Sequence, residues 1–300
     1  MSPHHVGSVI LTVVLVLMQS GIVCGGDDSA EMKAARTFLG TDVRWTRIFT
    51  FDDDVQAEVG TKVKSGKVIS RVLGAKFVPM PYLLFEPANY NGSGVLWIDG
   101  RGLSQICESG RASDDVKPGP AAGMLLERQF AVIAVELPST PAFRAGQLQA
   151  ADSLLAVRVR AILAAIATAL PHVYQVDIVG TGDAGPAVLL ASAFLNDLKP
   201  EQRKKIRYVI ADLQGATVGT TSIEGNPIFL PGASEFGGIP GIAALNGTQK
   251  MIVSGTMSTP AAELQVLEKA YEVAGNAQLL KLIEESLSDE LVLDLVIAKE

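Results

Sequence analysis

The residues best placed for chemistry lie in a glycine-rich turn in the middle of the chain. Residues 173–185 have the sequence VYQVDIVGTGDAG, in which an apolar strand leads into the turn and a helix of small residues follows. This pattern is typical of a nucleophile elbow, where G-x-S-x-G exposes a serine for acyl transfer. Aligned without gaps, Gly180 takes the first glycine and Gly182 takes the place of the serine. Because glycine has no side chain, we expect the turn to be retained and its nucleophile to be lost.

A different register of the same turn offers a carboxylate nucleophile. If residues 181–185 are aligned as small-x-nucleophile-x-small, Asp183 stands at the tip, as in enzymes that form an aspartyl ester. Hydrolysis of such an ester needs a histidine, and the last histidine of the chain, His172, precedes the elbow strand. At about 3.3 Å per residue, His172 lies roughly 20 Å away, at the opposite end of the sheet. This alternative therefore lacks its base.

The glycines of the turn also match a dinucleotide-binding pattern. Gly180, Gly182 and Gly185 form G-x-G-x-x-G between a strand and a helix. In that pattern an acidic residue ends the second strand, whereas Asp197 and Glu201 stand at a helix end. The chain has no P-loop, no C-x-x-C pair and no H-E-x-x-H motif, so we expect no cofactor.

Apolar strands alternate with amphipathic helices along most of the chain. This alternation predicts an α/β fold, in which a mostly parallel sheet is covered by helices on both faces. The expected strands are 43–51, 67–74, 77–86, 95–99, 131–137, 174–179, 206–213 and 250–255. The expected helices are 27–40, 120–129, 145–169, 184–197, 260–273 and 287–298, and residues 278–285 fit either type.

The order of these elements resembles the α/β-hydrolase fold, and acetyl xylan esterase-like and dienelactone hydrolase-like proteins in particular. Three segments carry the resemblance: VLWIDGRG at 95–102, the elbow at 177–191, and LPGASEFGGIPGIAALNGTQKMIVSG at 230–255. It implies a central sheet of about eight mostly parallel strands, an oxyanion loop after the strand in 95–102, and an acid after the strand that ends 230–255. An unrelated doubly wound α/β domain is the alternative.

The acid and the histidine that the resemblance implies are missing as well. In this fold the nucleophile, the acid and the histidine follow one another along the chain. The acid should come after strand 250–255, where residues 256–259 are Thr-Met-Ser-Thr. The histidine should lie near residues 284–288, which are Glu-Glu-Ser-Leu-Ser. With Gly182, all three positions lack their chemistry, so we expect the site to be unsuited to acyl transfer.

Charged residues stand where the family holds the oxyanion. Asp99, Gly100 and Arg101 follow one strand, and Asp183 follows the elbow tip; together they form the predicted ligand site or former oxyanion site. Because the two loops leave neighbouring strands, we expect Arg101 to pair with Asp99 or Asp183 and to fill the former oxyanion hole. The alternative is that each charge points to solvent. Asp212 ends a third strand, but we interpret these carboxylates as solvated or paired and expect no metal.

The composition narrows the classes of partner. The net charge of −7 argues against nucleic acid, because phosphate binding needs clustered lysine and arginine. The cysteines are Cys24 and Cys107, and Cys107 is best interpreted as a small core residue. Nothing in the composition identifies the ligand or the protein partner.

The first residues predict export. Residues 6–24 are apolar and resemble a signal peptide with cleavage after Gly25, which divides the chain into 1–25 and a hydrolase-like domain at 26–300. The run is also close to the ~18 residues of an uncleaved membrane anchor. We expect a secreted or periplasmic protein, with a membrane contact only if this segment stays attached.

Two functional hypotheses follow from the sequence. The first is an exported, inactive hydrolase-fold protein that binds a ligand or supports a partner. The second is an active carboxylic-ester hydrolase that uses another serine, such as Ser104, Ser254 or Ser258. The second lacks a histidine whichever serine is chosen.

Overall fold

The computed structural model describes residues 30–39, 49–58, 61–72, 76–108, 116–139, 153–214 and 228–297. The strands are β1 (Phe49–Glu58), β2 (Thr61–Val72), β3 (Lys76–Pro87), β4 (Ser93–Asp99), β5 (Ala131–Val135), β6 (Gln175–Thr181), β7 (Ile206–Asp212), β8 (Met251–Ser254) and β9 (Leu280–Leu282). The helices are α1 (Ala30–Leu39), α2 (Pro120–Glu127), α3 (Leu154–Ala169), α4 (Gly185–Ser192), α5 (Pro200–Arg203), α6 (Gly238–Ala243), α7 (Ala261–Val273) and α8 (Asp289–Ile297).

The strands form one mixed sheet in the order β1-β2-β3-β5-β4-β6-β7-β8-β9. Strands β1 to β3 are antiparallel to their neighbours. The other strands, β5-β4-β6-β7-β8-β9 in sheet order, run parallel to one another. The elbow strand β6 lies inside the sheet between β4 and β7, with Asp99 opposite Thr181. The loops after β4 and β6 therefore leave the sheet side by side.

Both faces of the sheet are covered because the parallel strands are apolar on both sides. Alternate residues of β4 enter opposite cores: Leu96 and Ile98 pack with α3, α4 and α6, whereas Val95 and Trp97 pack with α2 and α8. All residues of β4 and β5 are buried. This is the arrangement that continuous apolar strands predict.

Helix α3 belongs to the core. Among the described residues, Leu154–His172 is the one helical stretch long and apolar enough to cross a membrane, and 89% of its apolar window is buried inside the protein. Ser153 begins the helix as its N-cap, since its Oγ accepts the N–H of Ala156 at 3.1 Å. This segment is therefore a central helix of the fold.

The expected mixed α/β architecture is confirmed, with differences at the element ends. The sheet has nine strands, because Leu280–Leu282 in the ambiguous segment 278–285 adds a short parallel strand beside β8. Helix α4 ends at Ser192 rather than 197, and a 3-10 turn at Leu195–Asp197 follows. The predicted signal segment and residues 43–48 and 145–152 of two predicted elements lie outside the described residues.

Candidate functional site

The elbow has the sharp turn that its glycines predict. Strand β6 ends at Thr181, a single 3-10 turn covers Gly182–Ala184, and α4 begins at Gly185. Gly182 has φ of 60°, a left-handed conformation, and Asp183 does not share it. Gly182 is therefore the tip of the turn, and the register that puts Asp183 there is wrong.

Close packing explains the glycines on either side of the tip. A Cβ atom at Gly180 would lie 2.6 Å from Val188 Cγ2, and one at Gly185 would lie 1.8 Å from the carbonyl oxygen of Asp212. At Gly182 the nearest atoms to such a Cβ are 3.6 Å away, which is ordinary contact. Gly180 and Gly185 thus allow the strand and helix to approach each other, while Gly182 supplies the left-handed backbone and leaves room for a side chain.

The Asp99 carboxylate is the polar centre of the site. Asp99 is 3% exposed, and its Oδ2 accepts the Thr181 hydroxyl at 2.8 Å. The same hydroxyl accepts the indole N–H of Trp97 at 3.1 Å. A buried charge needs such donors, and Asp99 obtains the others from Arg101. The result is a continuous chain of hydrogen bonds from Trp97 through Thr181 to Asp99.

The amides of the loop after β4 are already engaged. The N–H of Gly100 donates to the carbonyl of Thr181 at 3.0 Å, and the N–H of Arg101 donates to Asp99 Oδ1 at 2.8 Å. An oxyanion hole needs preorganised donors that point at the reacting oxygen. Because both amides of this loop bond within the protein, the loop holds no free donor at these two positions.

Arg101 pairs with Asp99. Its Nε donates to Asp99 Oδ1 at 3.0 Å and its Nη2 donates to Oδ2 at 2.9 Å, and this hydrogen bonding raises the pKa of the guanidinium. The Arg101 side chain is still 62% exposed. Thus the expected pair with Asp99 forms while the guanidinium stays largely exposed, and the buried Asp99 carboxylate is the group that accepts the amide of Arg101.

We expect Arg101→Ala to destabilise the protein by about 1–2 kcal/mol, because Asp99 stays buried and loses two charged donors. Urea unfolding of the variant measures the loss. Arg128→Ala, a change at an exposed arginine, is the control and should stay within about 0.5 kcal/mol of the wild type. Equal losses for the two variants would show that the pair contributes nothing to stability.

A second arginine contacts the main chain of the elbow turn. Arg158 in α3 is 4% exposed; its Nη1 donates to the carbonyl of Asp183 at 3.3 Å and its Nε donates to the carbonyl of Pro138 at 3.1 Å. Burial lowers the pKa of Arg158, and the charge of Asp183 opposes that shift. The carbonyl side of the turn is thus fixed to α3, which limits how far the elbow can move.

The loops expected to carry the acid and the histidine are joined to each other. After β8, the residues Thr256–Ser258 form a 3-10 turn without a carboxylate. The N–H of Gly255 donates to the carbonyl of Glu285 at 2.7 Å, which brings the expected histidine loop against this turn. Asp212, at the end of β7, accepts the N–H of Leu287 at 3.1 Å. Burial raises the pKa of Asp212, and the amides of Gln214 and Leu287 oppose that shift.

The sequence offers Ser104, Ser254 and Ser258 as other nucleophiles, and none of the three stands in the elbow turn. Ser254 is completely buried at the end of β8, and Ser104 and Ser258 are exposed in short 3-10 turns. His172 stands just before β6, at the amino end of the sheet, where its carbonyl accepts the hydroxyl of Tyr90 at 3.3 Å. It is therefore at the opposite end of β6 from the elbow, as the sequence predicts.

Four side chains of the site were not anticipated from the sequence. Trp97, Thr181 and Arg158 stabilise the elbow and its neighbouring loop, and Gln214 places its Nε2 atom 3.9 Å from the Cβ position of Gly182. Gln214 also has φ of 50°, uncommon for a residue with a side chain. An arginine within the alanine-rich segment of α3 was a visible signal, whereas nothing in the sequence indicates the backbone of Gln214.

Two observations concern the metal site and the dinucleotide pattern that the sequence raises. In the described part of the chain, no three histidine, cysteine, aspartate or glutamate side chains are grouped as a metal ion would need. Gly180 and Gly185 are required by packing against Val188 and Asp212, so neither needs a phosphate to explain it. The dinucleotide pattern is therefore accounted for by the elbow.

Solved esterase structures share this architecture. A promiscuous CE15 esterase from a marine bacterial metagenome has a TM-score of 0.55 at 11% identity, over 90% of this chain and 92% of its own. Acetyl xylan esterase from Paenibacillus sp. R4 has a TM-score of 0.51 at 9% identity, over 88% and 92%. A methylesterase has a TM-score of 0.53 at 14% identity, over 87% of this chain and 61% of its own.

Sequence comparison adds no relative. No protein-family model matches the chain, and no curated protein matches it. Identities of 9–14% therefore establish the fold alone. Together with the antiparallel β3, the parallel strands from β5 to β9 and the elbow inside the sheet, they show that the chain has the α/β-hydrolase fold.

Proposed function

We propose that this chain is an exported α/β-hydrolase-fold protein that has lost catalysis and acts by binding a ligand or a protein partner. The observation that carries the proposal is the elbow tip. Gly182 keeps the left-handed backbone and the space of a nucleophile, yet it has no side chain that could attack a carbonyl.

The surroundings of the tip support the same proposal. The Asp99 carboxylate accepts the N–H of Arg101, and the Thr181 carbonyl accepts the N–H of Gly100. These two amides therefore stabilise the loop and are not available to a developing oxyanion. No histidine follows His172 in the sequence, and His172 lies at the amino end of β6. A nucleophile placed at the tip would therefore have neither a base nor these two donors.

Acetylated xylan is the first ligand to test, since one structural neighbour is an acetyl xylan esterase. Affinity electrophoresis of the purified protein through acetylated and deacetylated xylan separates the outcomes. Retention without acetate release supports a binding role. Acetate release contradicts the loss of catalysis, and free migration through both gels excludes xylan as the ligand.

Restoring the missing serine should not restore turnover. We expect Gly182→Ser to hydrolyse a short-chain acyl ester no faster than buffer, because the base and acid remain absent and the loop amides stay engaged. Release of p-nitrophenol from p-nitrophenyl acetate measures the rate, with Gly123→Ala as a remote control. A variant that turns over repeatedly would show that a base is present and that the missing side chain of Gly182 alone accounts for the lost activity.

Export belongs to the proposal as well. It rests on the apolar segment 6–24 and the small residues up to Gly25. N-terminal sequencing of the protein that an expression host exports tests it: a start near residue 26 indicates cleavage, and an intact N-terminus on membrane-bound protein indicates an anchor. Retention of the whole chain in the cytosol would contradict it.

A further inference from the structure

Glu263 on α7 has one carboxylate oxygen inside the protein. Its Oε2 atom is shielded from solvent and has no hydrogen-bond partner among the described residues. A Cβ atom built on Gly238 would lie 2.4 Å from Oε2 and 3.2 Å from Oε1, so the carboxylate rests on the main chain of Gly238. Gly237 and Gly238 have φ of 77° and 79° and form the left-handed turn that begins α6. The carboxylate is thus held against a turn with no space for another side chain.

No cation within the described residues compensates this carboxylate. Helix α6 has no titratable residue, and the 3-10 turn before it contributes Glu235. On α7 itself, Lys269 Nζ donates to Glu272 Oε2 at 2.9 Å, and Glu268 is a further acidic residue. The turn Ala277–Leu279, which also packs on α7, has no charge. Glu263 lies in the first turn of α7, where the helix dipole favours a carboxylate, and burial nevertheless raises its pKa to about 7.

Helix α7 is connected to the candidate site along two routes. The loop 255–260, which leads into α7, lies against β7: a Cβ atom at Gly255 would be 2.4 Å from Asp212 Oδ1 and 2.5 Å from the amide nitrogen of Gln214. In addition, α6 packs on α4, the helix that starts at the elbow. A change in how α7 sits on α6 therefore reaches one wall of the site and the support of the elbow.

We propose that Glu263 is a protonation-controlled latch between α7 and the glycine turn of α6. The neutral carboxyl keeps the contact closed, and loss of its proton draws the carboxylate toward water and loosens the contact. The folded protein holds this proton at a higher pH than the unfolded chain, where glutamate titrates near ~4.3. The free energy of unfolding is therefore highest at acidic pH, and it falls as the pH rises through neutrality.

Urea unfolding between about pH 5.5 and about pH 8.5 tests the latch. For the wild type, we expect the equilibrium constant for unfolding to rise about ten-fold across this range. This rise is smaller than the full pKa difference would give, because the carboxylate is half exposed and solvent screens it. Glu263→Gln should remove the rise, and Glu268→Gln, an exposed change on the same helix, should keep it. An unchanged rise in Glu263→Gln would overturn the proposal.

A direct titration of the unaltered protein covers the case in which the variant does not fold. The side-chain carboxyl ¹³C signal of Glu263 should move with a midpoint close to neutrality, and amide exchange in 255–273, corrected for its intrinsic pH dependence, should speed up above that midpoint. A midpoint below about pH 5.5, or a corrected exchange rate that does not change across the midpoint, would overturn the latch.

Discussion

Arg207→Ala is expected to destabilise the protein by about 3–5 kcal/mol, the usual cost of leaving a buried charge without its partner. Asp177 lies in the middle of the sheet on β6 and is 1% exposed. Arg207 on β7 donates its Nε to Asp177 Oδ1 at 2.9 Å and its Nη2 to Oδ2. The same Nη2 donates to the carbonyl of Val296 at 2.6 Å, so the guanidinium also fixes the last turn of α8.

Two further variants separate the ion pair from general effects of losing an arginine. Arg203→Ala removes a side chain whose partner is Asn196 on a neighbouring turn, and we expect a loss below about 1 kcal/mol. The double change Asp177→Leu with Arg207→Ala removes both charges and should recover a large part of the stability. If Arg207→Ala alone cost less than 1 kcal/mol, the pair would not be holding α8 to the sheet.

Gly185→Ala is expected to prevent folding or to cost more than about 4 kcal/mol. Its new Cβ would lie 1.8 Å from the carbonyl oxygen of Asp212, and main chain at the end of a buried strand cannot yield to it. Circular dichroism and thermal unfolding of the purified variant measure the effect. A stably folded Gly185→Ala would show that α4 does not approach β7 this closely.

Two other glycines provide controls for this result. A Cβ atom at Gly123, in the middle of α2, meets nothing within 4 Å, and alanine there should stabilise the helix by roughly 0.5–1 kcal/mol. Gly182→Ala has space but needs a left-handed backbone, which costs about 1–2 kcal/mol for alanine. We therefore expect the loss of stability on substitution by alanine to increase in the order Gly123, Gly182, Gly185. This order separates the cost of backbone strain at Gly182 from the cost of crowding at Gly185.

The fold could be predicted because its strands are short, apolar and spaced by helices. The segments 95–99 and 131–137 contain few polar residues, and both became strands buried on both faces. The element ends were less accurate, since they depend on single backbone conformations. Gly255, for example, is left-handed and ends β8 at Ser254, one residue before the predicted end.

The site was predictable only where sequence fixes the backbone. The tip conformation of Gly182 and the pairing of Arg101 follow from the glycine spacing and from two loops at neighbouring strand ends. The contacts of Arg158 and Gln214 depend on how α3 and the end of β7 are placed in space. Such contacts join residues far apart in sequence, so the arginine in the alanine-rich segment is visible in the sequence but its partner is not.

Labelling with a fluorophosphonate probe, followed by intact-mass analysis, tests the loss of catalysis most directly. The probe forms a covalent bond with a serine only when a base activates it. We expect the wild-type protein to keep its unlabelled mass at neutral pH, while an active serine esterase in the same tube is fully labelled. A stoichiometric adduct on this protein that disappears when one serine is replaced would contradict the account.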